Sequence, residues 1–352
     1  MCNKYFRAFK SSATFYSTSL LVIFSSSLLV CQMITPIDTI PVGYDHYTGA
    51  TINGNYLWTG AMNLCWTELC ESVIKAPVLL RTADTSALQT TEHLNHPVIT
   101  RNDLDATSYY IKSGFGPNTL ETINRECRSK FPQKSFADIE VDLAAEDIIS
   151  YAYFYKNIQY EIPFTRKTVR FDTSSVKGFE AVDKQKQTVE VLHYESNDRF
   201  VIRLRLKEKN DELILAKGYA MDQPADVLQA LDSLKSNNPK ALGEDDRFQM
   251  PLLQLDVRRD YNEMIGQPLD NSGFRDYRIG EMFENIAFAL DETGAKVESQ
   301  AVIAVERSAF RPGKQIRYFY LDKPFWVIMK QRDSARPYFL LGVNQTNIMQ
   351  TP

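Results

Sequence analysis

The pattern of apolar and polar residues changes character along the chain. Residues 15–34, running through TSLLVIFSSSLLVC, carry no charge, and Lys4, Arg7 and Lys10 precede them. A basic flank ahead of an apolar run is the pattern of an export signal, and the run is also about long enough to span a bilayer. Residues 1–34 therefore read as a signal peptide or, if retained, as a membrane anchor. Residues 35–60 hold Thr, Pro, Gly and Tyr with neither helical nor strand period, which predicts a leader into the domain. From 58 to 74, apolar residues such as Leu64, Leu69 and Ile74 among polar ones predict a short strand and then a helix. The next stretch, to about 112, has little readable pattern. In NTLETINRECRSK (118–130), Leu120, Ile123 and Cys127 share one helical face, and Pro132 ends it.

Beyond this point the chain becomes strand-rich. IISYAYFY (148–155) is almost wholly apolar or aromatic, which predicts a strand covered on both faces in the middle of a sheet. Strands follow over 169–171, 189–194, 200–206 and 213–216 at hairpin spacing, then over 252–255, 286–290, 317–321, 325–330 and 338–343. PADVLQALDSLK (224–235) is an amphipathic helix with Asp222 or Gln223 placed to start it, and 261–265 is a short helix before Gly266. Strands and helices do not alternate regularly, which disfavours doubly wound and barrel folds. The class is α+β: large mixed or antiparallel sheets with surrounding helices, in a single domain over 61–352.

With 44% hydrophobic and 24% charged residues among 352, the composition is that of a globular protein. A net charge of -4 supplies no basic field for nucleic acid, which is therefore not expected as a partner. Of five cysteines, Cys2 and Cys31 fall in the leading segment. The remaining Cys65, Cys70 and Cys127 cannot all pair with one another. Either Cys65 or Cys70 bridges to Cys127, or all three are buried thiols. Of four histidines, His93 and His96 are three apart but lack a third ligand, so a solvated helix face is expected and a metal is not. There is no nucleophile elbow, Walker loop or dinucleotide fingerprint, so neither an enzyme nor a cofactor is expected.

Several segments, in order, resemble the serpin superfamily. DIISYAYFYK (147–156), followed by Pro163-Phe164 and Thr165, is similar to the serpin central strand and its sequel. VKGF (176–179), VLHY (191–194), residues 261–269 with Phe274, FALDETG (288–294), Lys323-Pro324-Phe325 and FLLGVN (339–344) continue the likeness in the same order. Ile123-Asn124 is similar to the helix that lies across the main serpin sheet, and ahead of it the likeness fades, as though the front helices were reduced. Glu284 stands where a sheet-opening histidine is frequent, and Ser150 where an asparagine is.

This resemblance implies an exposed loop that a protease cleaves and that then inserts into the main sheet as a new strand. Its hinge falls on Glu292, Gly294, Ala295, Val297, Ser299 and Ala301. From Ala295 on, one face carries Val297, Ser299 and Ala301, the other Lys296, Glu298 and Gln300, an alternation that permits insertion. Counting from the hinge places the scissile bond at Arg307-Ser308, and an arginine there suits a serine protease with an acidic, trypsin-like pocket. The expected protein is thus a monomeric, secreted or membrane-anchored protease inhibitor. The alternative is a non-inhibitory serpin-like binding or structural protein.

Overall fold

The computed structural model describes residues 44–132, 138–234, 239–295 and 316–352. The signal or anchor expected over 1–34 lies outside them. No helix among the described residues is long and apolar enough to cross a membrane.

The first strands are β1 (Ala50–Ile52) and β2 (Asn55–Thr59), joined through Asn53-Gly54 with both residues at positive φ. An Asn-Gly pair accepts that geometry at little cost. All five residues of β2 are buried, so residues 50–59 belong to a sheet and the expected structureless leader is corrected there. A strand buried at every position shows no period of two. Helix α1 (Ala61–Leu69) runs into a wider turn over Cys70–Ile74 that ends at left-handed Lys75. Helix α2 (Thr85–Asn95) begins at Asp84, whose carboxylate accepts hydrogen bonds from the amides of Ser86 and Ala87.

Strand β3 (Tyr109–Phe115) leads into α3 (Gly116–Lys130), and β4 (Ile148–Phe154) returns antiparallel to β3 along its whole length. The face of α3 read from sequence, Ile123 and Cys127, is buried with Phe131 and Tyr110, against Ile149, Tyr151 and Tyr153 of β4. The other face of β4 meets α1 through Ser150. Both faces are covered, as expected, but every residue of β4 is only half-buried. Among the described residues, moreover, it pairs on one side only, with β3, which corrects the expectation of a central strand.

The chain continues through β5 (Ile158–Gln159), β6 (Thr165–Phe171), β7 (Ser174–Glu180), β8 (Val189–Ser196), β9 (Arg199–Leu204) and β10 (Asp211–Lys217). Helix α4 (Pro224–Ser233) starts at Gln223, with Pro224 in its first turn, where a missing N–H costs nothing. After it come β11 (Lys240–Ala241), β12 (Arg247–Pro251), β13 (Leu253–Asp260), β14 (Phe283–Leu290), β15 (Gly294–Ala295), β16 (Tyr318–Tyr320), β17 (Phe325–Gln331) and β18 (Pro337–Val343).

The largest sheet has eight strands in the order β1-β2-β18-β17-β10-β9-β8-β11, and a second has four in the order β16-β12-β7-β6. Strands β10 and β18 are buried at all seven positions, and Trp326 on β17 is fully enclosed with its indole N–H given to the Ala220 carbonyl. Each such large apolar side chain contributes roughly 1.5–3 kcal/mol by leaving water, so this sheet is the stable body of the molecule. Three further pairs, β3-β4, β13-β14 and β5-β15, form separate two-stranded ladders among the described residues. The α+β class is as read from sequence.

Candidate functional site

Two antiparallel pairs, β3-β4 and β13-β14, are tied to each other at both ends. At one end the tie is the segment entering α1. The Thr59 hydroxyl, just ahead of α1, donates to Glu284 Oε2 of β14 at 2.8 Å. Within α1, the Cys65 carbonyl accepts from Ser150 Oγ of β4 at 2.8 Å, and Ser150 also meets Ser113 of β3 at 2.6 Å. At the other end, β15 pairs antiparallel with β5, the segment that follows β4. Among the described residues, β14 pairs only with β13, and β4 only with β3.

The turn from β14 into β15 is built by its acids. Asp291 Oδ1 accepts from the amides of Thr293 (2.7 Å) and Gly294 (3.2 Å) and from the Thr293 hydroxyl (2.6 Å), and the Asp291 amide donates to the Gly294 carbonyl. This is an aspartate holding its own backbone in a tight reversal. Gly294 completes it at φ 142°, where a Cβ would stand 2.2 Å from the Ile158 carbonyl oxygen. The reversed chain lies next to β14 and sets Gly294 opposite Gln159 and Ala295 opposite Ile158, while the Tyr160 amide donates to Thr293 O at 3.0 Å. Glu292 is 6% exposed. Its Oε1 lies 2.6 Å from Arg166 Nε, and its carbonyl accepts from the Phe164 amide at 2.8 Å. Beneath it Tyr160 is fully enclosed, 4.8 Å from Phe164 between ring centres, and burial first, then the charges of Asp291 and Glu292, push its phenol well above the ordinary range.

Of the hinge residues read from sequence, Glu292, Gly294 and Ala295 meet at this turn; Val297, Ser299, Ala301, Arg307 and Ser308 lie outside the described residues. The partners that hold the turn, Gln159, Tyr160, Phe164 and Arg166, were not read as site residues. Neither were Thr59, Arg259 and Tyr261, which surround Glu284. Tyr261 Oη donates to Glu284 Oε1 at 2.9 Å, and Arg259 approaches the same oxygen at 3.4 Å.

Burial raises the pKa of Glu284 above its ordinary 4.5, against the opposing pull of Arg259 and its hydrogen bonds. The folded protein therefore holds this proton more tightly than the unfolded chain, so the contribution of Glu284 is greatest below pH 4.5 and falls as pH rises through the folded value. Glu284→Gln is expected to melt higher than the parent at pH 8, with the difference shrinking toward pH 4. Calorimetric scans across that range check it, and a difference independent of pH would refute it.

The cysteines form neither bridge: Cys65, Cys70 and Cys127 are all free thiols. Burial pushes the Cys65 thiol up to about 11, and the Cys127 thiol likewise. His96 is exposed beside Glu92, whereas His93 turns inward to meet the His46 ring at 5.2 Å. No cluster of three or more metal-ligating side chains occurs among the described residues.

The chain has a serpin-like fold, shown by its likeness to serpins of known structure. Among solved structures, Serpin48 of the insect Tenebrio molitor, described as a highly specific serpin, superposes with a TM-score of 0.51 at 14% identity, over 83% of this chain and 92% of that one. A serpin from the trematode Schistosoma haematobium gives 0.52 at 12% identity, over 86% of this chain and 98% of that one. At such identities the likeness is one of fold. No protein-family model matches the sequence, and no curated protein does either.

Proposed function

We propose that the protein is a serpin-type inhibitor of a serine protease acting outside the cytoplasm, with the chain beyond Gly294 as its cleavable loop. One observation carries this reading: the chain reverses at residues 291–294 and starts a strand, Gly294–Ala295, against the segment that follows β4 and beside β14. Continuing that strand with Val297, Ser299 and Ala301 on the core-facing side would extend it between the two pairs. In this reading a protease serine attacks the Arg307 carbonyl. The amide to Ser308 breaks and its amine leaves, and an ester joins Arg307 to the protease. Insertion of the loop then carries the acylated protease away from the geometry it needs for hydrolysis. The driving force is a folded state held away from its most stable arrangement by a kinetic barrier. Export by residues 1–34, as a signal or as an anchor, belongs to the same reading.

A second reading has specific support. Glu292 is buried and pinned by Arg166 and by the Phe164 amide, which favours a hinge that stays in place, as in a non-inhibitory binding or structural protein. Incubation with trypsin followed by a denaturing gel separates the two. An inhibitor gives a band of summed mass that resists boiling, and Arg307→Ala abolishes it. Clean cleavage with trypsin still active would exclude inhibition of this protease class. Nicking is also expected to raise the melting temperature sharply if the loop inserts, and to leave it unchanged if the hinge is fixed.

A further inference from the structure

A cleft of about 290 Å³ opens between the turn before β1, helices α1 and α2, and the end of β13. Its size is at the small end of the range for organic ligands. Its lining is mixed: Thr48, Asn63, Ser86, Gln89 and Thr90 are polar, and the buried side chains of Trp58, Leu94 and Tyr261, each less than 9% exposed, supply an apolar floor. The basic side chains lining it are Arg259, His46 and His93. Arg259 brings a guanidinium whose side chain is 15% exposed, stacked 4.3 Å over the Tyr261 ring. His46 and His93 meet edge to face, and the buried Nδ1 of His46 has no hydrogen-bond partner. No carboxylate is among the residues lining the cleft.

Arg259 is not fully spent on the protein. It donates to Glu284 at 3.4 Å and to the Thr48 carbonyl at 3.2 Å, two residues along from His46, which leaves further N–H groups of its five. Glu284 also accepts from Thr59 and Tyr261, so Arg259 is one of three donors that share it. A cation with spare donors and an unpaired buried imidazole nitrogen, beside the flat rings of Trp58 and Tyr261, is chemically complementary to an acid with a flat apolar body.

We infer that this cleft binds a small organic carboxylic acid, its carboxylate taken by Arg259 and the His46–His93 pair and its rings lying against Trp58, Tyr261 and Leu94. The cleft contains no residue of the 291–295 turn, and it shares Thr59, Arg259 and Tyr261 with the surroundings of Glu284.

Isothermal titration of the intact chain with biphenyl-4-carboxylate, against its neutral counterpart biphenyl-4-methanol, tests the assignment. Saturable one-to-one binding of the acid is expected, at least tenfold tighter than the alcohol. Arg259→Gln is expected to weaken the acid at least tenfold and to leave the alcohol unchanged. Arg258→Gln on the same strand should leave both unchanged, because Arg258 pairs with Asp260 and lies over Phe283 outside the cleft. Should Arg259→Gln not fold, His46→Phe keeps a ring against His93 and removes the free nitrogen, and it is expected to weaken the acid severalfold and not the alcohol. Absence of saturable binding, equal affinity for acid and alcohol, or an acid affinity untouched by the variant that folds would each overturn the assignment.

Discussion

Gly294→Val is expected to undo the turn at residues 291–294 while leaving the eight-stranded sheet folded. The residue sits at φ 142°, a conformation a β-branched side chain does not adopt, and its Cβ would meet the Ile158 carbonyl at 2.2 Å and Gln159 Cα at 2.7 Å. The unfavourable backbone conformation alone costs about 1–3 kcal/mol, and the clash is with main chain that cannot swing aside. The cheapest relief is to break the β5-β15 pairing. Hydrogen exchange reads this directly, since the Tyr160 and Phe164 amides donate to Thr293 O and Glu292 O and should lose protection together. If both stay as protected as in the parent, the turn does not depend on glycine and the description of the hinge fails.

Asp211→Ala should be among the most destabilising single substitutions outside the apolar core. Asp211 is 3% exposed and accepts from two elements at once: Lys156 Nζ, just past β4, at 2.7 Å, and Tyr338 Oη of β18 at 3.0 Å. Removing the carboxylate strands a mostly buried ammonium, a change that costs about 3–5 kcal/mol. Urea unfolding followed by tryptophan fluorescence measures it. The double variant Asp211→Leu with Lys156→Met should recover at least half of the loss, because no unpaired charge remains. Equal losses in single and double variants would mean that the carboxylate acts through packing and not through charge.

The parts of this fold legible in the sequence share a physical cause. Strands β10, β17 and β18 lie within a sheet covered on both faces, so each carries a run of adjacent apolar residues, LILA, FWVIM and YFLLGV. Strand β2 was read only from residue 58, and its start at Asn55 was missed. Its end residues Asn55 and Thr59 are polar yet buried, spent on specific bonds: Asn55 Oδ1 accepts from the amides of Asn344 and Gln345, and Thr59 donates to Glu284. Hydropathy scores such residues as surface, although they close the sheet.

The aromatic run of β4 reflects cover on its two faces, while among the described residues it has a strand partner on one side only; composition reports what lies above and below a strand and not what lies beside it. The turn at 291–294 was reached through the likeness of FALDETG to a serpin hinge, and its bonding is local, between an aspartate and a glycine three residues apart. Its anchor was not readable, because Arg166 and Glu292 are separated by 126 positions and an ion pair of that span leaves no local spacing.

The pairing of β2 with β18 bears on how the molecule is made. Among the strands of the eight-stranded sheet, β18 is the last to leave the ribosome, and its neighbour β2 is among the first. Throughout the interval the β1-β2 hairpin, with Leu57 and Trp58, has an open flank that nascent neighbours or chaperones can meet. Closing a contact across so much chain is slow. The late arrival of β18 thus sets a period in which the rest of the protein must hold together without its finished scaffold, and in which mispairing with another copy competes with completion.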